Sequence, residues 1–245
     1  MNSTQTSRVF TAWLFALLTV LLVAGCTQPA GESATQATVT LLNYQEQEAG
    51  VQPYPLRIFV NARFLRFDDG FDASDFMLMD RDTRTIYSVS HEERSILVIP
   101  KHPAADALPA GIELSEAHDA DTDAPKIAGK QLEYIRFLAN GTVCYHAIVV
   151  PGLLQQASTA LAEYATALGN RQFSDMSSVP TEMQTPCFLS HSVYTPARHL
   201  LAGLPISEWD ETGYRRTLVD YRETATVGTQ LFELPEGYER FRLGE

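Results

Sequence analysis

Positive charge is scarce in this chain: 18 Lys and Arg stand against 30 Asp and Glu, a formal net charge of -12. A surface of that sign repels phosphate backbones and anionic headgroups, which argues against nucleic acid as a partner and against electrostatic docking on a bilayer. Long apolar runs are equally rare. The longest, Phe10 to Ala24, falls several residues short of the ~20 that a spanning helix needs. The sequence has no G-x-S-x-G, S-x-x-K or H-E-x-x-H motif, so no familiar nucleophile or zinc-peptidase arrangement is written into it. A non-enzymatic protein without a cofactor is therefore expected. There is no convincing internal repeat and no low-complexity block. Hydrophobic residues make up 45% of the chain, enough for one sizeable core.

Cysteine occurs only three times, and the first position is informative. In LLVAGCTQP, Cys26 directly follows the apolar run and directly precedes Thr27, Gln28 and Pro29. Upstream stand Arg8 as the only charge, the apolar run, and small residues before Cys26, the order of parts in a secretory signal. Val23-Ala24-Gly25-Cys26 resembles the lipobox of bacterial lipoproteins. That resemblance implies diacylation of the Cys26 thiol, removal of residues 1–25 and acylation of the new amino terminus. An uncleaved anchor, or an ordinary signal with a chance cysteine, is the alternative. Two or more acyl chains anchor a protein stably where one does not. Thr27, where the family's sorting rule would use aspartate to retain a protein at the inner membrane, implies the outer membrane. Residues 26–37 are small and polar and read as a flexible tether reaching roughly 35 Å at ~3.5 Å per residue. Residues 38–245 are expected to form a single domain.

Within that domain, Leu56, Ile58, Val60, Ala62 and Phe64 alternate with polar residues and predict one half-buried strand. Phe76–Asp80, Thr85–Val89 and Ser95–Ile99 predict a meander with short polar turns. Residues 101–130 read as a loop with at most one helical turn. QLEYIRFLANGTVCYHAIVV predicts a hairpin turning at Asn140-Gly141, which also explains the Asn140-Gly141-Thr142 sequon. From Pro151 the period changes to that of an amphipathic helix stopping at Gly169-Asn170. A second helix is expected over about Pro186 to Leu201, ended by Gly203 and Pro205. GYRRTLVDYRETATV and TQLFELP read as a closing pair of strands. Strands, then helices, then strands again give an α+β fold: a curved antiparallel sheet, half-barrel-like, with two helices packed on one face.

Cys144 and Cys187 remain once Cys26 is set aside, and in an oxidising compartment an even remainder favours a disulfide. The alternative is a Cys₂His₂ zinc site, because Cys144-x-His146 would share a strand face and Cys187-x₃-His191 a helix face. Two free thiols are the third reading. Asp119, Asp121 and Asp123 have the spacing that begins a calcium loop, but Ala124 and Lys130 occupy the positions of its glycine and bidentate glutamate. Asp68, Asp69, Asp72 and Asp75 read as a turn, and His91 beside Glu92 and Glu93 as polar turn residues in preference to a general-base arrangement.

In the order of its elements and its lipobox, the chain is similar to the half-barrel lipoproteins of the LolA/LolB type, also seen among mycobacterial lipid-carrier lipoproteins. Stretches such as RTIYSVSHEERSILVI resemble uncharacterised envelope lipoproteins. What these resemblances imply is a periplasm-facing lipoprotein on the inner leaflet of the outer membrane, delivered by the lipoprotein processing and sorting machinery. Two roles are open: an interaction module for another envelope protein, or a LolA/LolB-like carrier of a lipid or other apolar ligand between sheet and helices.

Overall fold

A computed structural model describes residues 35–71, 74–105, 107–119 and 124–242. The expected signal peptide, Cys26, most of the tether, and Asp72, Asp121 and Asp123 lie outside the described residues. The fold is α+β, with one large, curved, unclosed sheet and a few helices packed beside it.

Strand β1 (Gln36–Gln47) begins inside the stretch read as tether. It lies between β2 (Tyr54–Val60) and β11 (Arg215–Gly228), so chain segments far apart in sequence meet at the centre of the sheet. The single strand expected from Leu56 to Phe64 is two. The Asn61 side chain accepts hydrogen bonds from the backbone N–H groups of Arg63 (2.8 Å) and Phe64 (2.6 Å), which turns the chain into β3 (Phe64–Asp68). The expected meander is present as β4 (Phe76–Asp80), β5 (Thr85–Ser90) and β6 (Ser95–Ile99). Residues 101–130 are not all loop: β7 (Leu114–Asp119) pairs with β8 (Glu133–Ala139). The hairpin of β8 with β9 (Thr142–Val150) turns at Asn140-Gly141 as expected, with both residues at positive φ.

Strand β10 (Leu204–Trp209), within the stretch expected to end the second helix, fills the place between β9 and β11. TQLFELP is not a strand; Thr229–Phe232 form a 3₁₀ turn, and β12 (Glu239–Phe241) then adds to β6 in parallel. The strand order is β12-β6-β5-β4-β3-β2-β1-β11-β10-β9-β8-β7.

Helix α1 (Gln155–Ser174) lies on one face and buries Ala157, Ala160, Leu161 and Ala162 against Leu42, Ile58, Leu65, Met79 and Leu204 of the sheet. Full burial of each of the Leu, Ile and Met side chains among them stabilises by about 1.5–3 kcal/mol. The helix runs past the expected stop, because Gly169 is helical and serves as a contact. A Cβ there would lie 2.8 Å from both Val193 O and Pro196 Cγ. The second helix is also not continuous. A single turn, α2 (Pro186–Phe188), passes into a π-helical segment, Leu189–Tyr194, which breaks before Pro196; α3 (Arg198–Ala202) follows. On the opposite face, Leu231, Phe232, Leu234 and Tyr238 of the C-terminal segment cover Phe59, Leu78, Val89 and Ile96. Phe64 and Phe232 stack there with centroids 5.5 Å apart.

Candidate functional site

Alternation along β8 to β11 sorts their side chains to two faces. Ile135, Phe137, Tyr145 and Ala147 point toward the helices, as does Glu208, while Tyr134, His146 and Trp209 point away. A β-bulge in β9 breaks this rule at Cys144. Phe137 is opposite Tyr145 but Leu138 is opposite Val143, so Cys144 is the extra residue. The bulge takes Cys144 out of the alternation that would have placed it beside His146. Cys144 is joined instead to Cys187 of α2, with Cα atoms 5.1 Å apart. The disulfide expectation holds. His146 accordingly belongs to a separate cluster, with Nδ1 2.8 Å from the Tyr134 hydroxyl, Nε2 2.9 Å from Glu211 Oε1, and its ring stacked on Trp209.

The other sequence candidates are spent locally. Asp119 receives a hydrogen bond from Arg136 at 2.8 Å. Asp68 is buried between Arg57 (2.7 Å) and Arg66 (2.9 Å). Asp69 caps the turn at Phe71 and Ser74, and Asp75 accepts from the His91 backbone N–H. His91 Nδ1 lies 2.8 Å from the Tyr238 hydroxyl. No group of three or more His, Cys, Asp or Glu side chains among the described residues is disposed to hold a metal ion.

The site that the structure assembles was not among these candidates. Between α1, the π-helical segment and the sheet lies an open cavity of about 640 Å³. One wall is apolar, built from Phe67, Leu161, Tyr164, Leu168 and Leu200, with the Phe67 and Tyr164 rings 4.6 Å apart. The other end is a buried ionic cluster. Glu208, 1% exposed, forms an ion pair with Arg216 on the neighbouring strand. His199 Nε2 lies 3.1 Å from the second carboxylate oxygen, and Tyr145 lines the same end of the cavity. His191 stacks on Tyr145 with centroids 3.9 Å apart and stands 5.7 Å from the His199 ring.

Burial alone would raise the Glu208 carboxyl, but Arg216 and then His199 outweigh it and hold its pKa at about 2, so the group stays ionised. Burial, reinforced by His199, pushes His191 down to about 4, so its ring is neutral at physiological pH. Burial raises the Tyr145 and Tyr214 hydroxyls, which remain protonated. Approach is not the same as alignment: Glu208 Oε2, despite its closeness to His199, and Arg216 Nε are buried without an aligned hydrogen-bond partner. Perturbed, partly unsatisfied titratable groups at the end of a cavity mark it as a candidate functional site.

No helix among the described residues is long and apolar enough to cross a membrane. No family model and no curated protein matches the chain. Among solved structures, the chain is similar to an uncharacterised conserved protein from Thermus thermophilus, at 10% identity over 86% of this chain and 91% of that one, with a TM-score of 0.41. It is also similar to PNGF-II in two crystal forms, at 10% and 8% identity over 84% of this chain, with TM-scores of 0.38 and 0.36. It spans about a third of PNGF-II, 31% and 32% in the two forms. Likenesses this distant carry no functional argument.

Proposed function

We propose that this chain is an envelope lipoprotein, anchored through Cys26 in the outer membrane and facing the periplasm, that binds a small amphiphilic ligand in the cavity between sheet and helices. The observation that supports this reading is the cavity itself. Its volume is within the 300–1,000 Å³ usual for small-molecule sites, and an apolar wall facing a polar end suits a ligand of the same two-part character. On this reading the protein is a binder and not an enzyme.

A role as an interaction module through strand addition has less support. The edge strand β7 carries Glu116, His118 and Asp119, and the opposite edge, β12, is only three residues long. Charged or very short edges discourage pairing with another chain. Lipid extraction and mass spectrometry of the full chain purified from its host membrane tests the proposal. An amphiphile at near-stoichiometric amount is expected, lost in an Ala165→Trp variant whose indole fills the cavity. A wild-type protein that carries no such molecule would overturn it.

A further inference from the structure

Four formally charged side chains line the cavity: Arg171, Arg216, Glu208 and Asp210. Each makes an ion pair or hydrogen bonds, and the two atoms left without an aligned partner, Arg216 Nε and Glu208 Oε2, are themselves buried. Arg171 Nε is paired with Asp175 at 2.8 Å, and Arg216 is paired with Glu208. Asp210 accepts from the Thr212 backbone N–H and hydroxyl, both at 2.8 Å, and from the Tyr214 N–H at 3.1 Å. His199 is directed at Glu208. An anionic ligand would have to compete with a fully buried carboxylate for Arg216, and a cationic one would have to draw Glu208 or Asp210 from the partners they have. Exchange at the Glu208–Arg216 pair leaves a buried charge unpaired, which costs several kcal/mol; only a head group that reaches the solvent-screened Arg171–Asp175 pair escapes that cost.

The lining's remaining polar side chains are of another kind. They include the His191 ring nitrogens, the Tyr145, Tyr164 and Tyr214 hydroxyls, the Gln172 amide and the Ser192 hydroxyl, all uncharged groups that donate or accept hydrogen bonds. From this division, and resting on the cavity reading above, we infer that the ligand is a neutral amphiphile whose polar end bears hydroxyl or amide groups, such as a monoacylglycerol, and that fatty acids, lysophospholipids and cationic amphiphiles are discriminated against. The neutrality of His191 supports the same division, since a ring held at about 4 accepts or donates a hydrogen bond without adding charge. The apolar wall contributes equally to any ligand of one chain length, so discrimination resides at the polar end.

The experiment uses three ligands that share a ten-carbon chain: monodecanoylglycerol, decanoate and decyltrimethylammonium. Each is titrated against a fluorescent apolar probe bound to the processed, acylated protein in nanodiscs. Monodecanoylglycerol is expected to displace the probe at roughly tenfold lower concentration than either charged ligand. Glu208→Gln, checked for folding by circular dichroism, frees the Arg216 charge and should turn the preference toward decanoate. Tyr214→Phe serves where that variant does not fold: it should weaken the neutral ligand several-fold and leave decanoate unchanged. Decanoate or the ammonium displacing the probe as well as the glycerol ester does would overturn the inference while leaving the cavity reading in place. Failure of all three, with no co-purifying lipid, would overturn the cavity reading and this inference with it.

Discussion

Glu208 on β10 and Arg216 on β11 are direct register partners, so the backbone ladder of the sheet fixes their ion pair. Two side chains held opposite each other by paired strands need little further ordering to meet. Removing one partner strands the other in a buried setting. Arg216→Met should therefore lower stability by about 3–5 kcal/mol, measured by urea unfolding. A Glu208→Gln/Arg216→Met double variant should be less damaging than the sum of the single changes. Simple additivity would show that the two charges are not coupled.

Acid should destabilise the domain in two overlapping windows. His191 titrates at about 4 in the fold against an ordinary 6.5, and Glu208 at about 2 against 4.5. In both cases the unfolded chain holds more protons than the folded one, so stability rises with pH. The His191 contribution is lost as pH falls from about 6.5 to about 4, and the Glu208 contribution as it falls from about 4.5 to about 2. Melting temperature across pH 3 to 8 should follow this course, and His191→Gln should flatten its upper part. A wild-type profile that is flat between pH 4 and 6.5 would contradict the assignment to His191.

Reduction of Cys144–Cys187 should weaken the fold strongly. The bridge spans 43 residues, and in the chain-entropy model closure of such a loop contributes roughly 4 kcal/mol. Non-reducing peptide mapping should recover the two cysteine peptides joined. Replacing both cysteines with alanine should lower the unfolding midpoint, and a zinc chelator should leave it unchanged.

Gly169→Ala should destabilise the domain, although alanine is the better helix former. The new methyl group would meet Val193 O, a backbone atom, at 2.8 Å, and separating α1 from the π-helical segment should cost about 1–3 kcal/mol. Thermal unfolding decides the sign. A stabilised variant would mean that the two segments part readily.

On the proposed lipoprotein reading, Cys26→Ser should abolish acylation and leave the signal unprocessed. Mass analysis of the amino terminus, combined with membrane fractionation, checks this. Normal membrane attachment by a cleaved serine variant would rule out the lipid anchor.

Local features of the fold were legible in the sequence, and features made by distant segments were not. The meander from Phe76 to Ile99 and the turn at Asn140-Gly141 depend on neighbours a few residues apart, and short polar turns encode them directly. The disulfide followed from cysteine parity. Glu208 is not legible in the sequence because Gly203 and Pro205 suggest the end of a helix, and a proline argues against a strand, yet Pro205 is a residue of β10 with its carbonyl accepting from the Tyr44 hydroxyl at 2.7 Å. Gly169 looked like a stop because a sequence does not distinguish a glycine that ends a helix from one that lets another backbone approach. The bulge at Cys144 was invisible for a related reason. Strict alternation is the only rule a lone strand offers, and the extra residue is defined only by its partner strand.

The pairing of β1 with β11 places residues 36–47 against residues 215–228, at the middle of the sheet. A chain emerging from its amino end must therefore leave β1 with one flank unpaired until nearly the whole of the sequence is available. Contacts of such long range are slow to form, because the loop entropy must be lost before the pairing compensates for it. The two halves of the sheet consequently cannot be joined early. The complete sheet is therefore out of reach until the last strands are available, whatever local hairpins form before them.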